Sequence, residues 1–145
     1  MARARETVNT WSAKWEMCLH EVGHYIVARE LGWTDHKIWM RNTWLGGWDA
    51  GYNGDWAPRL SGDKLALQRA AVALGGVEVS RRRAWLSLPS SCSWDLNHAE
   101  EVLDATRISF SQAEAMARKL VGRHWAEIEA EARRLHLAGD RWRPA

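Results

Sequence analysis

Five consecutive residues, His20-Glu21-Val22-Gly23-His24, constrain this chain more than any other stretch. Histidines spaced four apart work together only on a helix, where positions i and i+4 share one face about a turn apart. Two imidazoles so placed can grip one metal ion from the same side, while Glu21 is rotated off that line and reaches a coordinated water without ligating. The flanks agree. Trp15, Leu19, Val22 and Ile26 form a helical apolar stripe that Val27 and Leu31 widen. The pattern predicts a helix from about Asn9 or Thr10 to Leu31, stopped by Gly32, with residues 1–9 as a flexible arm. Gly23 costs that helix about 1 kcal/mol against alanine, so something is expected to pack closely there.

The remaining chain reads as a mostly helical domain. His36-Lys37-Ile38-Trp39-Met40-Arg41 looks extended and is followed by Gly46-Gly47, Gly51 and Gly54, which predicts a short strand or hairpin within residues 36–53 and a loop to about Ser61. A buried helix is expected from Gly62 to Gly75, where Gly75-Gly76 either ends it or admits another backbone. Pro89-Ser90-Ser91 predicts a loop, and Ser93 a cap for a helix over Trp94–Arg107. Ser111 and Glu114 fit a capping box opening a last helix that runs to Leu137 and stops at Gly139. The expected fold class is α-rich α+β.

At 145 residues the chain is expected to form a single domain able to bury a core without disulfides. Two cysteines, Cys18 and Cys92, fit a reduced, cytoplasmic setting, and Cys18 reads as a small packed residue. Twenty basic and 18 acidic residues leave a net charge of +2, which argues against an electrostatically driven nucleic-acid binder. Arg81-Arg82-Arg83 reads as a solvated loop or helix end. No apolar run approaches the ~18–20 residues that span a bilayer. Tryptophan is over-represented: of 11, Trp33, Trp39, Trp44, Trp48 and Trp56 crowd the stretch after the first helix, as core and rim packing with indole also serving as contact surface.

A catalytic zinc site takes three protein ligands and leaves one position open. The candidates for the third are His36, His98, His124, His136, Cys92 and the carboxylates. His124 and His136, among charged neighbours, read as surface histidines. Asp95 and His98 remain the stronger candidates, because a carboxylate in a first helical turn is favoured by the helix dipole and can project toward a metal.

Four stretches, in order, resemble the zinc-peptidase domain of the FtsH-type ATP-dependent membrane proteases. They are His20-Glu21-Val22-Gly23-His24 with Ile26-Val27; His36-Lys37-Ile38 with Leu45-Gly46; Leu74-Gly75-Gly76; and Ser93-x-Asp95-Leu96-x-x-Ala99. The similarity runs from about Ala13 to Leu137. It implies a zincin-like domain over residues 1–145 in which His20, His24 and Asp95 bind Zn2+ and Glu21 is the catalytic base. Val22 and Tyr25 replace residues that are small in the family, and the segment around Glu78 departs from it, so no role carries over to Glu78. The sequence contains no G-x-x-x-x-G-K-[ST] loop of the family's ATPase motor.

The expected function is zinc-dependent hydrolysis of peptide bonds, with a metal-activated water and Glu21 as general base. A protein or peptide substrate is expected to align with Ile38, Trp39, Met40 and Arg41 by backbone pairing, with an ATPase or unfoldase acting in trans as an option. Two other readings share the motif: a narrow-specificity regulatory peptidase of a mobile element, and an inactive fold used as a binding or adaptor module.

Overall fold

The computed structural model describes residues 13–44, 47–83 and 90–145. The proposed N-terminal arm, the helix start near Asn9, Leu45-Gly46 and Pro89 lie outside them. The architecture is an α-rich α+β fold: helices α1 (Ala13–Glu30), α2 (Gly62–Arg83), α3 (Ser90–Leu103), α4 (Phe110–Arg123) and α5 (Trp125–Ala138), with an antiparallel hairpin of β1 (Thr34–Asn42) and β2 (Trp48–Asp55). None of the described helices is long and apolar enough to cross a membrane.

The first helix is the axis of the molecule. Its residues from Cys18 to Ala28 are all buried, because α2, α5 and the hairpin enclose it on every side. It ends as Gly32 requires: the glycine takes φ +84°, and Trp33 N–H donates to Ala28 O at 2.9 Å to close the last turn.

Helix α2 does not stop at Gly75-Gly76 but continues to Arg83, so the two glycines serve close approach rather than termination. A Cβ on Gly23 would lie 2.7 Å from Gly75 O, and one on Gly75 would lie 2.7 Å from Gly23 O. The two helices cross backbone against backbone, which explains the glycine inside the histidine motif. The triple arginine forms the last turn of α2, where positive charge suits the helix dipole.

Three expected boundaries move. Helix α3 starts at Ser90, so Ser90-Ser91 is helical, Ser93 is an exposed residue of the first turn rather than a cap, and the helix ends at Leu103 instead of Arg107. The capping box of α4 is Ser109 with Gln112: Gln112 N–H donates to Ser109 Oγ at 3.2 Å and Ser109 N–H to Gln112 Oε1 at 2.8 Å. Ser111 lies inside that helix, and Glu114 instead pairs with Arg81 at 2.8 Å. Capping from Ser109 brings Phe110 into the helix, where it packs on the second apolar cluster. The expected single last helix is broken at His124, which lets α4 pack on α2 while α5 turns back along α1. His124 and His136 are half-buried rather than superficial. His124 pairs with Glu30 and Glu127, and Arg29 bridges the same two carboxylates.

At the C-terminus Trp142 is buried edge-to-face on Tyr25, with ring centroids 5.1 Å apart. Beside it, Asp140 Oδ1 accepts a hydrogen bond of 3.0 Å from Met40 N–H. The outer edge of β1 is therefore covered.

Candidate metal centre

Two helical repeats bring the site together. His20 and His24 project from one face of α1, and Asp95 comes from α3 on the stripe that also buries Cys92 and Ala99. Asp95 sits in the second turn of α3, not the first, so this stripe rather than the helix dipole positions it. Asp95 Oδ2 lies 2.7 Å from His20 Nε2 and 3.2 Å from His24 Nε2, and the two Nε2 atoms are 3.2 Å apart. Tetrahedral zinc with N and O ligands at ~2.0–2.1 Å sets ligand atoms about 3.3 Å apart; two edges of this triangle match, and the third is drawn in by a hydrogen bond.

The outer ring nitrogens fix the orientation. His24 Nδ1 lies 2.7 Å from Val72 O, which can only accept, so Nδ1 carries a proton and Nε2 is the nitrogen turned to the triangle. His20 Nδ1 is 3.1 Å from Ser80 Oγ, with Cys92 Sγ behind it at 3.9 Å. On the inner side, a Cβ at Gly76 would fall 2.6 Å from His24 Nε2 and 2.7 Å from His20 Nε2. Only glycine leaves room at the point where the nitrogens converge. The donor set and this cradle fit a divalent cation such as Zn2+.

The electrostatics agree. Burial would lower both imidazole pKa values, but the Asp95 hydrogen bonds outweigh it, raising His24 and pushing His20 up to about 10. Burial would likewise raise Asp95, yet its two histidine partners hold it well below the usual carboxylate range. Without a cation the cluster draws in protons instead. Burial also raises Glu21, which lines the cleft and has no hydrogen-bond partner among the described residues.

The cluster floors a cleft of about 590 Å³. Consecutive residues from Asp49 to Gly54 line one wall, so β2 presents its edge rather than a face. Arg69, Val72 and Ala73 of α2, with Trp94 and His98 of α3, form the opposite wall. The hairpin register fixes which backbone groups point in. Because Met40 N–H faces Asp140, away from β2, Met40 and its partner Ala50 are a non-hydrogen-bonded pair. The N–H and C=O of Ala50, and by alternation of Tyr52, therefore point outward from the hairpin. Among the described residues no backbone hydrogen bond reaches that edge.

This geometry corrects the expected substrate strand. Ile38 and Met40 face the core at 2% and 3% exposure, and Arg41 points to solvent beside Asp49. Of the four residues named, Trp39 alone lines the cleft; its indole lies over Gly51, where a Cβ would be 2.5 Å from the ring. The edge that faces the cluster belongs to β2, because β1 is closed by Asp140.

The other candidates are placed elsewhere. His98 lines the cleft stacked on Trp94, with centroids 5.1 Å apart, and does not join the ligand triangle. His36 hydrogen-bonds Tyr52 Oη at 2.8 Å, and Cys18 is a packed thiol touching Met40 Sδ. Glu78 is buried between Arg81 and Arg118, tying α2 to α4 outside the cleft. Sequence reasoning missed Val72, Gly76 and Ser80; their signal was a helical spacing along α2 that the expected stop at Gly75 had cut short. No protein-family model and no curated protein matches this chain.

Proposed function

We propose that this chain is a zinc-dependent metallopeptidase acting on peptides or unfolded protein segments, of the kind the FtsH-type resemblance implies. The observation that carries this reading is the convergence of His20, His24 and Asp95 on one point beneath an open strand edge, beside a buried Glu21 that has no hydrogen-bond partner among the described residues. His20, His24 and Asp95 hold the metal, with Ser80 and the Val72 carbonyl keeping both rings turned inward. When bound, zinc supplies Lewis acidity, polarising the scissile carbonyl and easing deprotonation of the attacking water. Glu21 takes that water's proton and passes it to the leaving amine; its burial makes it a stronger base than a solvated glutamate. The outward N–H and C=O groups of Ala50 and Tyr52 pair with an extended substrate backbone and set it across the cluster.

The test compares zinc-loaded wild type with Glu21→Gln on a casein digest and a peptide library. Wild type should cleave, and Glu21→Gln should lose at least about a thousandfold in turnover while keeping one zinc per chain. Equal turnover by the two proteins would refute the assignment.

A further inference from the structure

We propose that Arg69 and Trp56 form an anion-binding subsite at one end of the cleft, which selects substrates carrying a carboxylate a few residues from the scissile bond. The proposal rests on the peptidase reading and adds a substrate class to it.

Arg69 lines the cleft, half-buried, with its guanidinium 5.3 Å above the Trp56 ring. Among the described residues it makes no ion pair. The surrounding framework is built to hold it. Trp33 Nε1–H donates to Gln68 Oε1 at 3.0 Å, which anchors the indole of Trp33 to α2. Trp56 then packs edge-to-face on Trp33, with centroids 5.5 Å apart and planes at 65°. Stacking on an aromatic face leaves the N–H edge of a guanidinium free, and that edge matches a carboxylate in two parallel hydrogen bonds.

Charge balance points the same way. With a divalent cation bound, Asp95 and Glu21 offset its two charges, and Asp49 is already paired with Arg41 at 3.0 Å. Among the described residues that line the cleft, Arg69 is then the uncompensated charge. Its distance from the reaction follows from the helix. Arg69 lies seven residues before Gly76, which touches the ligand nitrogens, so their Cα atoms are about 10 Å apart along one face. An extended peptide advances about 3.3 Å per residue, which places the recognised carboxylate roughly two to four residues from the cleaved bond. Either an Asp or Glu side chain or a chain-terminal carboxylate has the required chemistry.

The experiment measures kcat/KM of the zinc-loaded protein on matched peptides that differ by Glu against Gln at each position, and by a free against an amidated C-terminus. Wild type should favour the carboxylate form about tenfold at one position. A preference that follows the Glu scan identifies a side chain, and one that follows amidation identifies the terminus. The preference should collapse to about unity in Arg69→Gln and invert in Arg69→Glu, which should favour Lys over Gln at that position. No preference in wild type, or one retained by Arg69→Gln, overturns the proposal. If wild type cleaves none of the peptides, the peptidase reading fails separately. Fluorescence anisotropy of the same labelled peptides on Glu21→Gln then decides the subsite: carboxylate-selective binding lost on adding Arg69→Gln supports it, and equal binding of both forms overturns it.

Discussion

Gly23 and Gly75 meet backbone to backbone: a Cβ on either would stand 2.7 Å from the carbonyl oxygen of the other. Alanine at either position gains up to about 1 kcal/mol of helix propensity, but it must push apart two helices whose contact forms the core. Overpacking of this kind costs typically 1–3 kcal/mol and more when the obstacle is main chain. Gly23→Ala and Gly75→Ala are each expected to destabilise the protein by about 2 kcal/mol, read from urea melts. A melt unchanged or shifted upward would mean that the helices do not cross this closely.

That contact also explains which parts of the structure the sequence revealed. The histidine helix, its stop at Gly32 and the hairpin are local features, set by spacing and by turn residues, and at the ends that fall within the described residues they were read to within about two residues. Asp95 and His98 were both left open by the residues alone and the resemblance decided between them; the placement of Asp95 by burial on the α3 stripe depends on tertiary packing. Gly75-Gly76 left two readings open, a helix stop or a close backbone approach, and only the partner helix decides for the second, so the continuation of α2 to Arg83 was not legible. The missed residues Gly76 and Ser80 follow from that one boundary. The expected substrate edge was placed on β1 because an extended stretch marks a strand without saying which of its edges is covered; Asp140, a hundred residues beyond Met40, covers it.

Gly76 bears on metal binding and on packing at one point. A methyl group there would lie 2.6–2.7 Å from both inner ring nitrogens, while the helix itself would favour alanine. Because both rings are buried and held by Asp95, Ser80 and the Val72 carbonyl, Gly76→Ala should also destabilise the metal-free protein, by about 1–3 kcal/mol. Its zinc affinity should fall at least about tenfold, the range seen when support around a metal site is disturbed. Competition against a chromogenic chelator measures this, and unaltered affinity would show that the cation sits elsewhere.

Proton and metal compete for the same nitrogens. In the metal-free protein, burial works against the charged imidazole, but the Asp95 hydrogen bond prevails and pushes His20 up to about 10. A raised histidine stabilises the fold fully below its ordinary value of 6.5 and loses that contribution as pH climbs toward 10. The depressed Asp95 contributes above its ordinary 3.8 and loses it as pH falls below. With chelator present, Tm should therefore decline from pH 6.5 to 10. Zinc must displace the His20 proton, so its affinity should rise by about tenfold per pH unit over the neutral to mildly alkaline range. A flat affinity there would show that His20 is unprotonated before metal arrives.

The strand edge can be tested without touching the metal. Ala50 N–H points into the cleft and serves no partner in the hairpin, so proline at this position removes a donor that only a substrate would use. Proline is tolerated on edge strands where the lost N–H faces outward. Ala50→Pro should thus keep the zinc stoichiometry and most of the stability, yet raise KM for extended peptides about tenfold, the worth of one to two backbone hydrogen bonds. The reciprocal probe is a peptide series with single N-methyl groups on either side of the cleaved bond. Wild type should reject the member whose methyl blocks the pairing with Ala50 or Tyr52, and Ala50→Pro should discriminate less. If every N-methylated peptide is cleaved as readily as its parent, the substrate does not bind as a strand along β2.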